Sequence, residues 1–277
     1  MSKFDVLATE KQNTRAGHID EMDTLEMIKL INSEDMLVAE AVGRESEAIA
    51  KAVDMIAERI AAGGRLFYLG AGTSGRLGVI DASECPPTYG VSPETVQGCM
   101  VGGDRAIRTA VEGAEDNPKA GIYELEVRGF TAADTLVGIS ASGHAPSVVA
   151  AVEWAKELGA KTIGLSTNPG TPLPNAADIA ITPYVGPEVI NGSTRMKSGT
   201  AQKMVLNMLS TGAMVRLGRV WRNYMVWMKP TNVKLRRRAE RIIVQATGCD
   251  DETAAAALRD NGDSIKAAIE ALEAAAK

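Results

Sequence analysis

The chain is poor in several things that define whole classes of protein. Of its 277 residues only three are cysteine, Cys85, Cys99 and Cys249, and none forms a C-x-x-C pair. An odd, scattered set of this kind excludes a disulfide scaffold, and with an opening MSKFDVLATEKQ that has no apolar signal region it points to a cytoplasmic protein. Aromatic residues make up only 4%, which leaves few platforms for stacking bases or sugars. Neither sign of charge dominates: 30 basic residues face 35 acidic ones, for a net charge of -5, so no strong field awaits a polyanion. Nucleic acid is therefore not an expected partner. No run reaches the roughly 18 apolar residues that a membrane span needs, so no membrane is expected either. Histidine occurs twice, at His18 and His144, without a cluster of ligands around either, and no metal site is expected.

What is present is an ordinary globular composition, 45% apolar, with 27 glycines placed where they punctuate structure. The first 20 or so residues are polar and unpatterned. A helical pattern begins at Asp23-Thr24-Leu25-Glu26-Met27, and a second runs over residues 39–62 to stop at Gly63-Gly64. Short apolar runs then end in glycine- or hydroxyl-rich turns, each followed by a helical stretch: residues 65–69, 95–101, 135–139 and 161–165, with a further strand at 178–182. Strands alternating with helices imply a three-layer α/β/α sandwich with a mostly parallel five-stranded sheet. Residues 198–217 read as a helix apolar nearly all round, central or at a subunit interface. Beyond Pro230 three short helical patterns, broken at Gly248 and Asn261-Gly262, form a cap. The expected organisation is an N-terminal segment and helical pair (1–62), an α/β domain (63–230) and a helical cap (231–277).

Two of the turns carry chemistry. Gly70-Ala71-Gly72-Thr73-Ser74-Gly75 has the G-x-G-x-x-G spacing of dinucleotide sites. The acidic residue that would hold a ribose is misplaced, however, because Glu94 precedes the next strand and Asp104 follows it. Its hydroxyls at a helix start suit a phosphate monoester better. Ser140-Ala141-Ser142-Gly143 repeats the theme after another strand, at the carboxyl edge where open α/β sheets bind ligands. Glu84, set in Asp81-Ala82-Ser83-Glu84-Cys85-Pro86-Pro87, is a candidate acid or base near the first turn. Glu112, Glu115 and Asp116 fall on a helix expected over residues 104–116 and read, by pattern alone, as a charged helix face.

These segments, with Asp81 to Thr88 as DASECPPT, AVEGAED ending at Asp116, GSTRMKSGTAQK beginning at Gly192 and VLNMLSTG beginning at Val205, resemble the N-acetylmuramic acid 6-phosphate etherases. That family lies in the sugar isomerase domain superfamily, beside phosphosugar isomerases and the animal glucokinase regulatory protein. The resemblance runs from about Thr24 to the C-terminal helices. It implies a sugar isomerase (phosphosugar-binding) domain with a ubiquitin-associated-like cap, acting as a carbon–oxygen lyase on a small sugar phosphate without a cofactor, and as a homodimer. Carried over motif by motif, it implies Glu84 as the acid and Glu115 as the base, with Gly72, Thr73, Ser74, Arg76, Ser83, Ser140, Ser142, Gly143 and Lys197 around the substrate. A sugar-phosphate-binding regulator and a phosphosugar isomerase are the alternatives; retention of both Glu84 and Glu115 argues against the regulator, since sensing needs neither. The second turn departs from the family's usual Ser-Gly-Arg-Thr-Pro-Tyr, reading Ser142-Gly143-His144-Ala145-Pro146-Ser147. That exchange removes a fixed charge and a hydroxyl donor from the phosphate loop. Met225-Val226-Trp227-Met228 stands where Met-Val-Asp-Val is usual, and Lys277 comes short of the family's usual tail.

Overall fold

The fold is described from a computed structural model covering residues 7–275. Five parallel strands, β1 (Leu66–Gly70), β2 (Val96–Met100), β3 (Thr135–Ile139), β4 (Lys161–Leu165) and β5 (Ile179–Ile181), line up in the order β2-β1-β3-β4-β5. Each is a short apolar run because a parallel sheet is covered on both faces. Phe67 and Leu69 pair in register with Leu136 and Gly138 and join one buried cluster, whereas the neighbouring Tyr68 faces the other way.

Before the sheet come α1 (Thr24–Gly43) and α2 (Ser46–Ala61), separated only at Arg44 and Glu45. The first helix therefore runs past the expected junction near residue 39. Asp23 caps it by accepting from the Glu26 N–H at 2.8 Å, and Gly63, at φ +92°, ends the pair in the left-handed conformation that the sequence indicates. Around the sheet stand α3 (Gly72–Tyr89), α4 (Arg105–Arg108), α5 (Pro118–Glu126), α6 (Pro146–Glu157), α7 (Pro172–Ala176) and α8 (Lys197–Arg216). α5 and α6 cover the Phe67 face; α3 crosses the Tyr68 face, where Gly78 lies against the Tyr68 side chain. Three layers result.

Residues 7–21 fold into short 3-10 turns that bury Leu7, Ala8 and Ala16. Of the stretch that reads as unpatterned, residues 1–6 lie outside the described residues, and the rest is part of the α/β body, held by long-range hydrogen bonds that leave no periodic signature.

The chain divides into two compact units. Among the described residues, one comprises 7–83 and 94–213 and contains the sheet; the other comprises 84–93 and 214–275, so the division falls within α3 and α8. In the second unit α9 (Val233–Thr247), α10 (Asp251–Asp260) and α11 (Ile265–Ala275) enclose Val226, Met228, Ile243, Leu258 and Ile269. Gly248, at φ +79°, closes α9, and Arg236 grips Asp263 through two hydrogen bonds of 2.8 and 2.6 Å.

Candidate functional site

Strand order decides where a ligand can sit. The chain leaves β1 for β2 on one side and reaches β3 on the other, so the carboxyl ends of β1 and β3 bound the crevice of the topological switch point. Both hydroxyl-bearing turns follow these two strands.

The first turn is compressed against its own strand. A Cβ on Gly75 would stand 2.2 Å from the Gly70 carbonyl oxygen and 2.5 Å from Met100 Sδ, so only glycine lets α3 begin this close to β1. Gly72 is exposed at φ +54°. Ser74 is buried, and its hydroxyl donates to Gln202 Oε1 on α8 at 3.0 Å. Gln202 is itself fully buried, and its Nε2 has no partner. Thr73 turns its methyl toward Gly199, also on α8. Arg76 donates from Nε and Nη2 to the carbonyls of Ile107 and Ala106 at 2.8 and 2.9 Å, closing the end of α4.

The second turn is closed by its own serines. The Gly143 N–H donates to Ser140 Oγ at 3.1 Å and the His144 N–H to Ser142 Oγ at 3.2 Å, with the two hydroxyls 3.3 Å apart. Gly143 takes φ +72°, and a Cβ there would meet Thr171 Oγ1 at 2.0 Å. Sequence reasoning missed the support behind this turn. Asn168 Nδ2 donates to the Ala141 carbonyl at 2.9 Å and to Thr9 Oγ1 at 3.3 Å, while the Ala8 N–H donates to Asn168 Oδ1 at 2.8 Å. The Ser166-Thr167-Asn168-Pro169 turn after β4 was the available signal.

Glu115 does not lie on a helix over residues 104–116. Only Arg105–Arg108 is helical; Thr109 turns extended and Gly113 sits at φ +73°, so Glu112, Glu115 and Asp116 occupy a turn-rich loop. The Glu115 carbonyl accepts from the Ser147 N–H at 3.0 Å, which ties the loop to α6. Gly72, Arg76, Glu112 and Glu115 line one cavity of about 170 Å³ in the first unit.

Glu84 is exposed on α3, one residue before the buried Cys85, and lies in the second unit. It lines a larger cavity there, about 450 Å³, with Lys229 and Arg238. The Ser83 hydroxyl donates to the Ile80 carbonyl at 2.8 Å.

Lys197 is placed differently from a ligand-facing cation. It is 1% exposed, and its ammonium bonds Glu34 Oε2 at 2.6 Å. Glu34 also accepts from Arg15 Nη1 at 2.7 Å and Asn13 Nδ2 at 2.9 Å. Burial opposes its ionisation, but the Lys197, Asn13 and Arg15 contacts outweigh that and hold its carboxyl below the usual range. At the same helix start Glu188 accepts from the Lys197 and Ser198 N–H groups at 2.9 and 3.0 Å.

None of the three cysteines is in a disulfide. Burial pushes the Cys99 thiol up to about 12, which suits packing rather than nucleophilic work. Among the described residues no group of three or more His, Cys, Asp or Glu stands ready for a metal ion, and no helix is long and apolar enough to cross a membrane.

Comparisons with known proteins agree with this architecture. Residues 48–156 match the glucokinase regulatory protein N-terminal SIS domain, and residues 126–212 match the SIS domain. A solved Bacteroides fragilis NCTC 9343 structure, described as a phosphosugar isomerase involved in capsule formation, shares the fold at TM-score 0.54 and 23% identity, covering 71% of this chain and 92% of that one. The class is thus a SIS-domain α/β protein. Among curated relatives, an N-acetylmuramic acid 6-phosphate etherase of Symbiobacterium thermophilum (strain DSM 24528 / JCM 14929 / IAM 14863 / T) is 56% identical, covering 96% of this chain and 88% of its own. One of Clostridium botulinum (strain Langeland / NCTC 10281 / Type F) is 54% identical, over 98% and 89%. The chain belongs to the N-acetylmuramic acid 6-phosphate etherase family.

Proposed function

We propose that the protein cleaves the D-lactyl ether at C3 of N-acetylmuramic acid 6-phosphate, giving N-acetylglucosamine 6-phosphate and D-lactate in cell-wall amino-sugar recycling. The observation that carries this is kinship: relatives more than half identical over nearly the whole chain bear that name. The fold supplies what such a substrate needs, two hydroxyl-bearing turns beside one switch point.

The chemistry is an elimination followed by hydration. In the ring-opened sugar the C1 aldehyde acidifies the C2 proton, and a carboxylate base takes it. The C3–O bond breaks as an acid protonates the departing lactyl oxygen. Water then adds at C3 of the unsaturated aldehyde, and C2 regains a proton. Glu115 is the base and Glu84 the acid; general acid and base steps of this kind contribute roughly 10²- to 10⁴-fold each. Gly72, Thr73, Ser74, Ser140, Ser142 and Gly143 receive the phosphate. Arg76 acts from beside Glu115 and Ser83 beside Glu84, while Lys197, at the start of α8, supports the site from behind through its pair with Glu34.

The protein works as a cytoplasmic homodimer. The exposed stripe of Leu25, Ile28 and Met36 on α1 supports association with a second copy. Glu84→Gln is the direct test of the pair: it binds the sugar phosphate with near-normal affinity while turnover falls by about two orders of magnitude or more. Near-normal turnover in that variant removes Glu84 from the mechanism.

A further inference from the structure

We propose that the cavity shared by Glu84, Lys229 and Arg238 is the subsite for the substrate's lactyl carboxylate, and hence for the D-lactate product. The inference rests on the etherase reading above.

Its basis is an unbalanced charge in a hollow with a partly apolar wall. The cavity, about 450 Å³, lies wholly within the second unit, and Met225, Met228 and Leu235 contribute apolar wall. Two cations face one carboxylate, an excess of one positive charge. Neither Lys229 nor Arg238 has an ion pair among the described residues. Arg236, two positions before Arg238 on α9, is by contrast fully engaged by Asp263. A half-buried guanidinium left open in a hollow is poised for an outside anion, and its planar fork fits a carboxylate.

Both cations are presented from fixed backbone. Asn232 caps α9 by accepting from the Leu235 N–H at 2.9 Å, which sets the helix that carries Arg238. Met228 is 4% exposed and packed in the helical core, so Lys229 emerges from an anchored point. The Thr231 N–H donates to the Lys229 carbonyl at 2.9 Å, turning the chain just after it.

The reaction explains why these groups share a cavity with Glu84. The ether oxygen that must be protonated is bonded to the lactyl carbon that bears both the methyl and the carboxylate. An acid reaching that oxygen and a cation holding that carboxylate must therefore lie within a few bond lengths of each other. The apolar wall accepts the methyl. N-acetylglucosamine 6-phosphate has no such anion, so the subsite distinguishes substrate from sugar product.

Steady-state kinetics on the full chain test this, comparing wild type with Lys229→Met, Arg238→Leu and Arg238→Lys. Lys229 is exposed, so its variant keeps the fold even if an Arg238 variant is weakened. Losing one charge-assisted contact lowers kcat/KM for N-acetylmuramic acid 6-phosphate by about 10- to 100-fold in Lys229→Met and Arg238→Leu, with partial rescue in Arg238→Lys. Inhibition by N-acetylglucosamine 6-phosphate stays within about twofold of wild type, and D-lactate binding measured by calorimetry is lost. Equal losses for both sugar phosphates, or no loss for either, overturn the subsite. Wild type that releases no lactate refutes the etherase reading instead. D-lactate binding to wild type then decides the subsite alone: binding abolished by Arg238→Leu retains it, and no binding removes it.

Discussion

Replacing Lys197 by methionine separates two jobs that one residue has been given. The family resemblance puts Lys197 beside the substrate, whereas its ammonium sits 2.6 Å from Glu34 with 1% of the residue exposed. Methionine fills nearly the same volume but leaves the buried Glu34 carboxylate with Arg15 and Asn13 alone. Removing one partner of a buried pair costs about 3–5 kcal/mol, and the surviving Arg15 contact places this case near 3. At about 2–4 °C per kcal/mol for a chain of this size, thermal denaturation followed by circular dichroism should move down by about 6–12 °C. Adding Glu34→Gln removes the stranded charge, so the double variant should be more stable than Lys197→Met alone. The pH dependence follows from the depressed Glu34 carboxyl: its stabilisation is complete above the ordinary glutamate range and disappears as pH falls through the folded-state value. Lys197→Met should weaken that acid limb, leaving the part that Arg15 and Asn13 maintain. A variant that melts within about 2 °C of wild type yet loses substrate affinity tenfold would refute the structural role and return Lys197 to the substrate.

Three further outcomes follow from the packing. Gly143→Ala forces a left-handed backbone and drives a Cβ toward Thr171 Oγ1, 2.0 Å away, so it should cost about 2–4 kcal/mol and raise KM as the second turn shifts, checked by melting and kinetics. Asp134→Asn should lose about 3 kcal/mol, because its 1%-exposed carboxylate accepts from Arg65 and Thr131. Burial opposes Asp134 ionisation but those contacts prevail and hold its carboxyl low, so wild-type stability persists above about pH 4 and falls only in stronger acid, a limb that urea titrations on Asp134→Asn should flatten. In the native protein an aromatic disulfide reagent should titrate Cys249 readily, with Cys85 and Cys99, both buried, reacting only on unfolding.

Much of this was legible in the sequence wherever the signal was local. The five strands were readable because each is a continuous apolar run ending at a glycine or serine turn, and β3 and β4 fall on the expected residues. Gly63 and Gly248 ended helices because both sit in the left-handed region. What escaped was set by distant partners. Nothing in Leu7 to Asn13 announces that Thr9 and Ala8 bond Asn168 across the fold. Glu115 falls on a turn because Gly113 and extended Thr109 stop α4 after four residues, which a run of helix-compatible residues concealed. α3 continues through Pro86 and Pro87, where a proline pair would ordinarily suggest a helix end. No local pattern joins Lys229 to Arg238; only the fold puts them around one cavity with Glu84.

The most direct test of the account is turnover of N-acetylmuramic acid 6-phosphate by the full chain in D₂O. Release of D-lactate with one deuterium at C2 of the N-acetylglucosamine 6-phosphate is the predicted result, because the proton removed at C2 must be replaced from solvent. Formation of a ketose phosphate, or tight binding of the sugar phosphate with no lactate released, would contradict it.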